Sequence, residues 1–123
     1  MGAAWGSVSA ARESSLRAVI NIAAAGDNTI VAAPGANFII KIVKLLFVCT
    51  AAVAVTLKSG ANNLTGAMSF SVNGGLGYDG DFTPLEMNAN EAFIINLGGA
   101  VQVSGFVLYY AERTQEVVQE ALP

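Results

Sequence analysis

Histidine is absent from this sequence and cysteine occurs only once. The first absence removes the commonest general base and the imidazole metal ligand. The second removes any intrachain disulfide and any thiolate zinc cluster. Ser-His-Asp and Cys-His hydrolysis are thereby excluded, together with metal binding through imidazole or several thiolates. Charge is scarce as well: six Lys+Arg and nine Asp+Glu make up 12% of the chain and leave a net charge of -3. Soluble domains usually carry about twice that share. The basic residues are scattered and form no stripe along a phosphate backbone, so no nucleic-acid partner is expected. The lone Cys49 sits in the run Leu45-Leu46-Phe47-Val48-Cys49 and reads as a small buried hydrophobe.

What is plentiful is apolar: hydrophobic residues form 54% of the 123 positions, enough chain for one domain. A domain of this size buries only about two thirds of its extended-chain surface. So apolar a composition leaves greasy surface on a monomer, and an oligomer or larger assembly is the expected remedy. Phe38 to Val55 is the one stretch long enough for a short membrane span. Lys41 and Lys44 in its first half would each cost about 2.5 to 3.5 kcal/mol near a bilayer centre, and its Ile, Val and Phe favour strands. No membrane partner is expected. The opening Met1-Gly2-Ala3-Ala4-Trp5 has neither a basic start nor a continuous apolar core, so synthesis in the cytoplasm without a secretory signal is expected.

Period-2 alternation bounded by Gly, Asn, Asp and Pro recurs from Leu16 to Tyr110, the pattern of an all-β sandwich or barrel of about eight strands. Leu16, Ala18, Ile20 and Ile22 share one face of the first strand, followed by a turn at Gly26-Asp27-Asn28 and a short strand from Thr29 to Ala32. Pro34-Gly35 breaks the chain before Phe38 to Val48, a two-sidedly apolar run that reads as a central strand. Val53, Val55 and Leu57 alternate cleanly with Ala54, Thr56 and Lys58. Met68 to Val72 forms another strand, and Thr83 to Met87 a short edge strand because Pro84 has no donor. Phe93, Ile95 and Leu97 face the core in the next. In the last strand Val101, Val103, Val107 and Tyr109 oppose Phe106, Leu108 and Tyr110, so both of its faces are apolar.

The intervening segment Asn73 to Asp81 is rich in Gly and Asp and reads as a surface loop that carries Tyr78, Asp79 and Asp81 outward. It lacks the Lys-Ser/Thr and helix of a phosphate cradle, and Asp79 and Asp81 lack the Glu that closes a calcium loop. Residues 1–15 are expected to form an N-terminal arm, 16–112 the β domain, and 113–123 a C-terminal arm or short helix with Thr114 as its cap. No catalytic residue, metal or cofactor is expected. The two doubly apolar strands supply the oligomer-interface candidates Phe38, Ile40, Phe106, Leu108 and Tyr110.

At Gly26-Asp27-Asn28-Thr29-Ile30-Val31, Val55-Thr56-Leu57-Lys58-Ser59-Gly60, Leu64-Thr65-Gly66-Ala67-Met68, Asn73-Gly74-Gly75 and Glu91-Ala92-Phe93-Ile94-Ile95-Asn96-Leu97, the chain resembles small structural proteins of tailed-bacteriophage virions that form jelly-roll trimers. The similarity runs over roughly residues 18–110 and lies in turn and strand sequences. It implies a jelly-roll-like antiparallel sandwich with extended arms, a homotrimer, and a place on the virion capsid surface bound to the major capsid protein. A decoration, or cement, protein is the role expected first; a head-fibre or tail module that binds a receptor or carbohydrate is the alternative. Under the resemblance the arms reach neighbouring capsid subunits, with Trp5, Val8, Arg12, Arg113, Val117 and Leu122 as contact candidates.

Overall fold

The computed structural model describes residues 15–114. Among them every regular element is a strand: β1 Leu16–Ile22, β2 Gly26–Val31, β3 Phe38–Cys49, β4 Val53–Ser59, β5 Asn62–Asn63, β6 Met68–Phe70, β7 Gly75–Asp79, β8 Leu85–Glu86, β9 Phe93–Leu97 and β10 Val103–Arg113. All pairings are antiparallel and sort the strands into two sheets. The first sheet runs β1-β10-β3-β7, with β8 beside β7 along β3; the second runs β2-β9-β4-β5, with β6 beside β5 along β4. Ten segments thus fill eight strand positions, because each of the pairs β5/β6 and β7/β8 shares one edge. The chain passes from sheet to sheet at every connection except β4 to β5, β5 to β6 and β7 to β8, the strand order of a jelly-roll-like sandwich.

Alternation decides what lies between the sheets. In β4 and β9 it is regular: Val53, Val55, Leu57, Phe93, Ile95 and Leu97 point inward and are buried, as their spacing predicts. Ile20, Val103 and Val107 meet them from the first sheet. β3 is central, paired with β10 on one side and with β7 and β8 on the other, but its alternation changes phase. Leu108 pairs with Lys44 and Tyr109 with Ile42, so Val43 is an extra residue, a β-bulge. Before it Phe38, Ile40 and Ile42 face inward; after it Leu45, Phe47 and Cys49 do, and Val43 itself is buried. The run Phe38 to Val48 therefore looks apolar on both faces partly because two phases overlap in one strand. Phe47 sits at the centre of the core, with the ring of Phe70 edge-on at 5.5 Å.

Three expectations are corrected here. Gly26-Asp27-Asn28 is not a turn but the first half of β2, laddered to Leu97, Asn96 and Ile95 of β9. Gly75 to Asp79 is not a loop but β7, laddered to β3 from Val48 to Lys44. The C-terminal boundary lies later than expected, since β10 continues to Arg113, opposite Phe38. Thr114 donates its N–H to the Asn37 carbonyl, and its hydroxyl is buried without a hydrogen bond among the described residues. The remainder of both expected arms lies outside the described residues.

Close approach of β3 and β10 explains Gly105, which pairs with Phe47. A Cβ there would run into the Leu46 carbonyl, which is backbone inside a ladder and has nowhere to go. Gly105→Ala is expected to destabilise the fold by about 2 kcal/mol or more, read as a lower urea midpoint, whereas alanine at Gly66, where nothing crowds the site, leaves the midpoint within about 0.5 kcal/mol.

Candidate interaction surface

The two sheets turn very different outer faces to solvent. On the second sheet the outward residues are mainly polar. Lys58 Nζ donates to both carboxylate oxygens of Asp27 at 3.1 Å, and Asn96 Nδ2 donates to the same carboxylate at 2.6 Å. Thr56 and Ala54 extend this face along β4. On the first sheet, cross-strand register sets Val19 of β1 beside Phe106 of β10 and Phe106 beside Leu46 of β3. Leu108 lies one pair further along, and Val48 one pair the other way. Val19 is 70% exposed, Leu46 46% and Val48 45%, while Phe106, Leu108 and Tyr110 are half-buried among them. Apolar residues contiguous across three strands are more than the scattered hydrophobes normal on a protein surface.

Ion pairs border this patch on the β7–β8 side. Lys44 Nζ lies 3.2 Å from Asp79 and 3.8 Å from Asp81; Lys41 Nζ lies 3.1 Å from Glu86 and 2.6 Å from Glu112. The hydrogen bond to Glu112 does most to push the Lys41 ammonium above its ordinary pKa, so it stays charged. Lys44 in turn holds Asp79 below the usual carboxylate range, helped by the backbone N–H of Asp81. With a lysine between them, Asp79 and Asp81 are already neutralised as a pair of cation ligands. No group of three or more His, Cys, Asp or Glu suited to a metal occurs among the described residues.

A second polar cluster sits at the rim of the other sheet. The buried Ser59 hydroxyl donates to Glu91 Oε1 at 2.7 Å and accepts the Asn88 N–H at 2.8 Å; Asn88 Nδ2 donates to the same Glu91 oxygen at 3.1 Å. These bonds, led by the one from Ser59, lower the pKa of Glu91 and tie the chain before β9 to the end of β4. Cys49 is fully buried at the end of β3, where burial raises its thiol pKa and keeps it unreactive.

The expected site residues fall in different surroundings. Phe106, Leu108 and Tyr110 stand on the outer face of the first sheet. Phe38 is half-buried at the open end of the sandwich, with the Arg113 guanidinium 5.3 Å from its ring centroid. Ile40 is corrected: the phase of β3 before the bulge turns it fully into the core, where it can meet no neighbour. Tyr78 is corrected too. It is half-buried against the core, and its hydroxyl donates to the Thr83 carbonyl, so of the three residues expected outward only Asp79 and Asp81 turn their carboxylates toward solvent. Arg113 belongs to β10, while Trp5, Val8, Arg12, Val117 and Leu122 lie outside the described residues. Val19, Leu46 and Val48 are not among the expected residues; the last two face outward because of the phase change after Val43, which only the pairing with β10 reveals.

In comparisons with known proteins, no family model and no curated protein matches this chain.

Asp27, Asp79 and Glu91 all bind a proton less readily in the fold than in the unfolded chain: Asn96 and then Lys58 hold Asp27 ionised, Lys44 does so for Asp79, and Ser59 for Glu91. Each adds stability that is full above the ordinary carboxylate range and is lost as pH falls through it toward the lowered folded value. Melting temperature is therefore expected to drop as pH falls below the ordinary glutamate value of 4.5. Glu91→Gln makes that drop shallower, which thermal melts at stepped pH will read.

Proposed function

We propose that this chain is a non-enzymatic structural protein of a phage virion: a capsid decoration protein that binds the outer capsid surface as a homotrimer and stabilises the head. The observation that carries the reading is the apolar patch of Val19, Phe106, Leu46, Leu108 and Val48 on the outer face of the first sheet, against a mainly polar outer face on the second. A contiguous patch that remains apolar on the monomer surface is a patch built to be covered. The strand order fits the jelly-roll proteins the sequence resembles. Threefold symmetry matches the places where capsid subunits meet around a common axis.

On this reading the protein works through binding free energy alone. A trimer that contacts several capsid subunits must be detached from each of them before they separate, which raises the work needed to open a shell under internal DNA pressure. A stiff sandwich suits that task, because a support that bends would yield before the contacts did. The fibre or tail alternative needs Tyr78 carried outward by a loop; Tyr78 instead lies in β7, half-buried against the core with its hydroxyl bonded to the Thr83 carbonyl, which gives that alternative no support.

Copy number in purified particles of the source phage tests the reading, by quantitative mass spectrometry against the major capsid protein. Copies in the hundreds, near the capsid protein's own number, are expected. A few dozen copies would move the protein to a fibre or tail, and absence from the particle would overturn the virion role.

A further inference from the structure

The turn between β6 and β7 carries the chain from the second sheet to the first. Gly74 donates its N–H to the Ser71 carbonyl at 2.9 Å, and Asn73 holds the position of a type II turn that needs a positive φ, here 63°. Asparagine and glycine tolerate that conformation best. The turn is clasped to the end of β3: Asn73 donates its N–H to the Cys49 carbonyl at 2.8 Å, and the Gly74 carbonyl accepts the Cys49 N–H at 2.7 Å. Glycine must follow Asn73, because a Cβ at residue 74 would lie 2.9 Å from the Ser71 carbonyl oxygen. Backbone geometry thus sets asparagine, a thermolabile residue, directly before glycine at an exposed position.

Eight other asparagines occur in the chain, and none of them precedes glycine. Six are tied by side-chain hydrogen bonds: Asn21, Asn28, Asn62, Asn88, Asn90 and Asn96. Asn37 and Asn63 precede Phe38 and Leu64, whose bulk crowds the next nitrogen and whose N–H groups are held by the Gly35 and Leu57 carbonyls. Asn73 alone joins a glycine neighbour to a side chain without a hydrogen bond among the described residues. Asp79-Gly80 has the same spacing, but Gly80 is buried with its N–H on the Val43 carbonyl at 2.7 Å, and Lys44 keeps the Asp79 carboxylate ionised and so a poor electrophile.

We propose that Asn73-Gly74 is a self-modification site, at which the folded chain converts Asn73 to aspartate and isoaspartate with water as the sole co-reactant. The Gly74 backbone nitrogen gives its proton to hydroxide and attacks Asn73 Cγ; the N–Cγ bond forms, the Cγ–Nδ2 bond breaks, and ammonia leaves with a proton from water. Water then opens the succinimide ring. Cleavage at N–Cγ leaves aspartate, whereas cleavage between the Asn73 carbonyl carbon and the Gly74 nitrogen leaves isoaspartate, with the main chain routed through Cγ. The bond from Gly74 N–H to Ser71 has to open first, which slows the reaction by about tenfold at most. Both products add one negative charge. Isoaspartate also inserts a methylene between the Asn73 N–H and the Gly74 carbonyl, the two groups that clasp Cys49, so that form loosens the end of β3. The inference goes beyond the proposed function and does not depend on it.

Peptide mapping by mass spectrometry tests the site, on the full chain aged folded in mildly alkaline buffer beside a sample aged in urea. The Asn73 peptide is expected to exchange NH for O and to split into two chromatographic peaks, aspartyl and isoaspartyl. It does so faster than any other asparagine and within about tenfold of the rate in urea. Asn73→Gly, which keeps the positive φ, retains the circular dichroism spectrum and abolishes the change. Hydrogen exchange reads the effect on β3: the Cys49 amide exchanges faster in the isoaspartyl form, while Asn73→Asp, which adds the charge without the methylene, exchanges like the unaltered chain. An Asn73 that stays intact in the folded chain while it reacts in urea, or another asparagine that reacts first, overturns the site. Equal exchange at Cys49 in the isoaspartyl and unaltered forms overturns the loosening of β3.

Discussion

A strand hydrogen-bonded along both edges cannot slide without breaking every pair on both sides at once, and β3 is held in this way. β10 matches it from Val103 to Arg113, and β7 and β8 fill the other edge. Slippage by one residue would turn Ile42, Leu45 and Phe47 out of the core. The register of the whole first sheet thus hangs on the β3–β10 ladder, whose narrowest point is the backbone approach at Gly105. The bulge at Val43 belongs to the same constraint. It lets a strand begin with even positions inward and finish with odd positions inward, and the Val43 carbonyl, outside the β10 ladder, accepts the N–H of Gly80 instead.

From that register follows the asymmetry of the two outer faces. After the bulge the outward positions of β3 are Lys44, Leu46 and Val48; β10 adds Phe106 and Leu108 and β1 adds Val19. Had β3 kept one phase throughout, Leu46 and Val48 would lie inside and Phe47 outside. The second sheet carries no comparable load, because its central strands β4 and β9 keep one phase and place Thr56, Lys58 and Asn96 outward.

The all-β class was legible in the sequence, and so were the inward residues of β4 and β9, since those strands alternate strictly and end at turn residues. The segments that depart from the sequence pattern share a cause: glycine and aspartate punctuate the chain locally, and tertiary pairing overrides that local signal. Gly75 lies in a strand because β7 passes so close to β3 that a Cβ would strike the Phe47 carbonyl. Asp27 lies in a strand because Lys58 and Asn96 across the sheet hold its carboxylate. The apolar character of Phe106, Leu108 and Tyr110 was visible from alternation alone. The inward side of Ile40 is not legible because a bulge leaves no mark in composition; it shows only when two strands are laid in register.

One further consequence comes from the position of the single thiol. Cys49 ends β3 fully buried in the sandwich, and no other cysteine exists to compete with it. A reagent in solution reaches this sulfur only when the sheets part, so its rate of labelling is a clock for the opening of the sandwich. The molecule carries that clock without any added probe, and it would run at a rate set by whatever covers the first sheet.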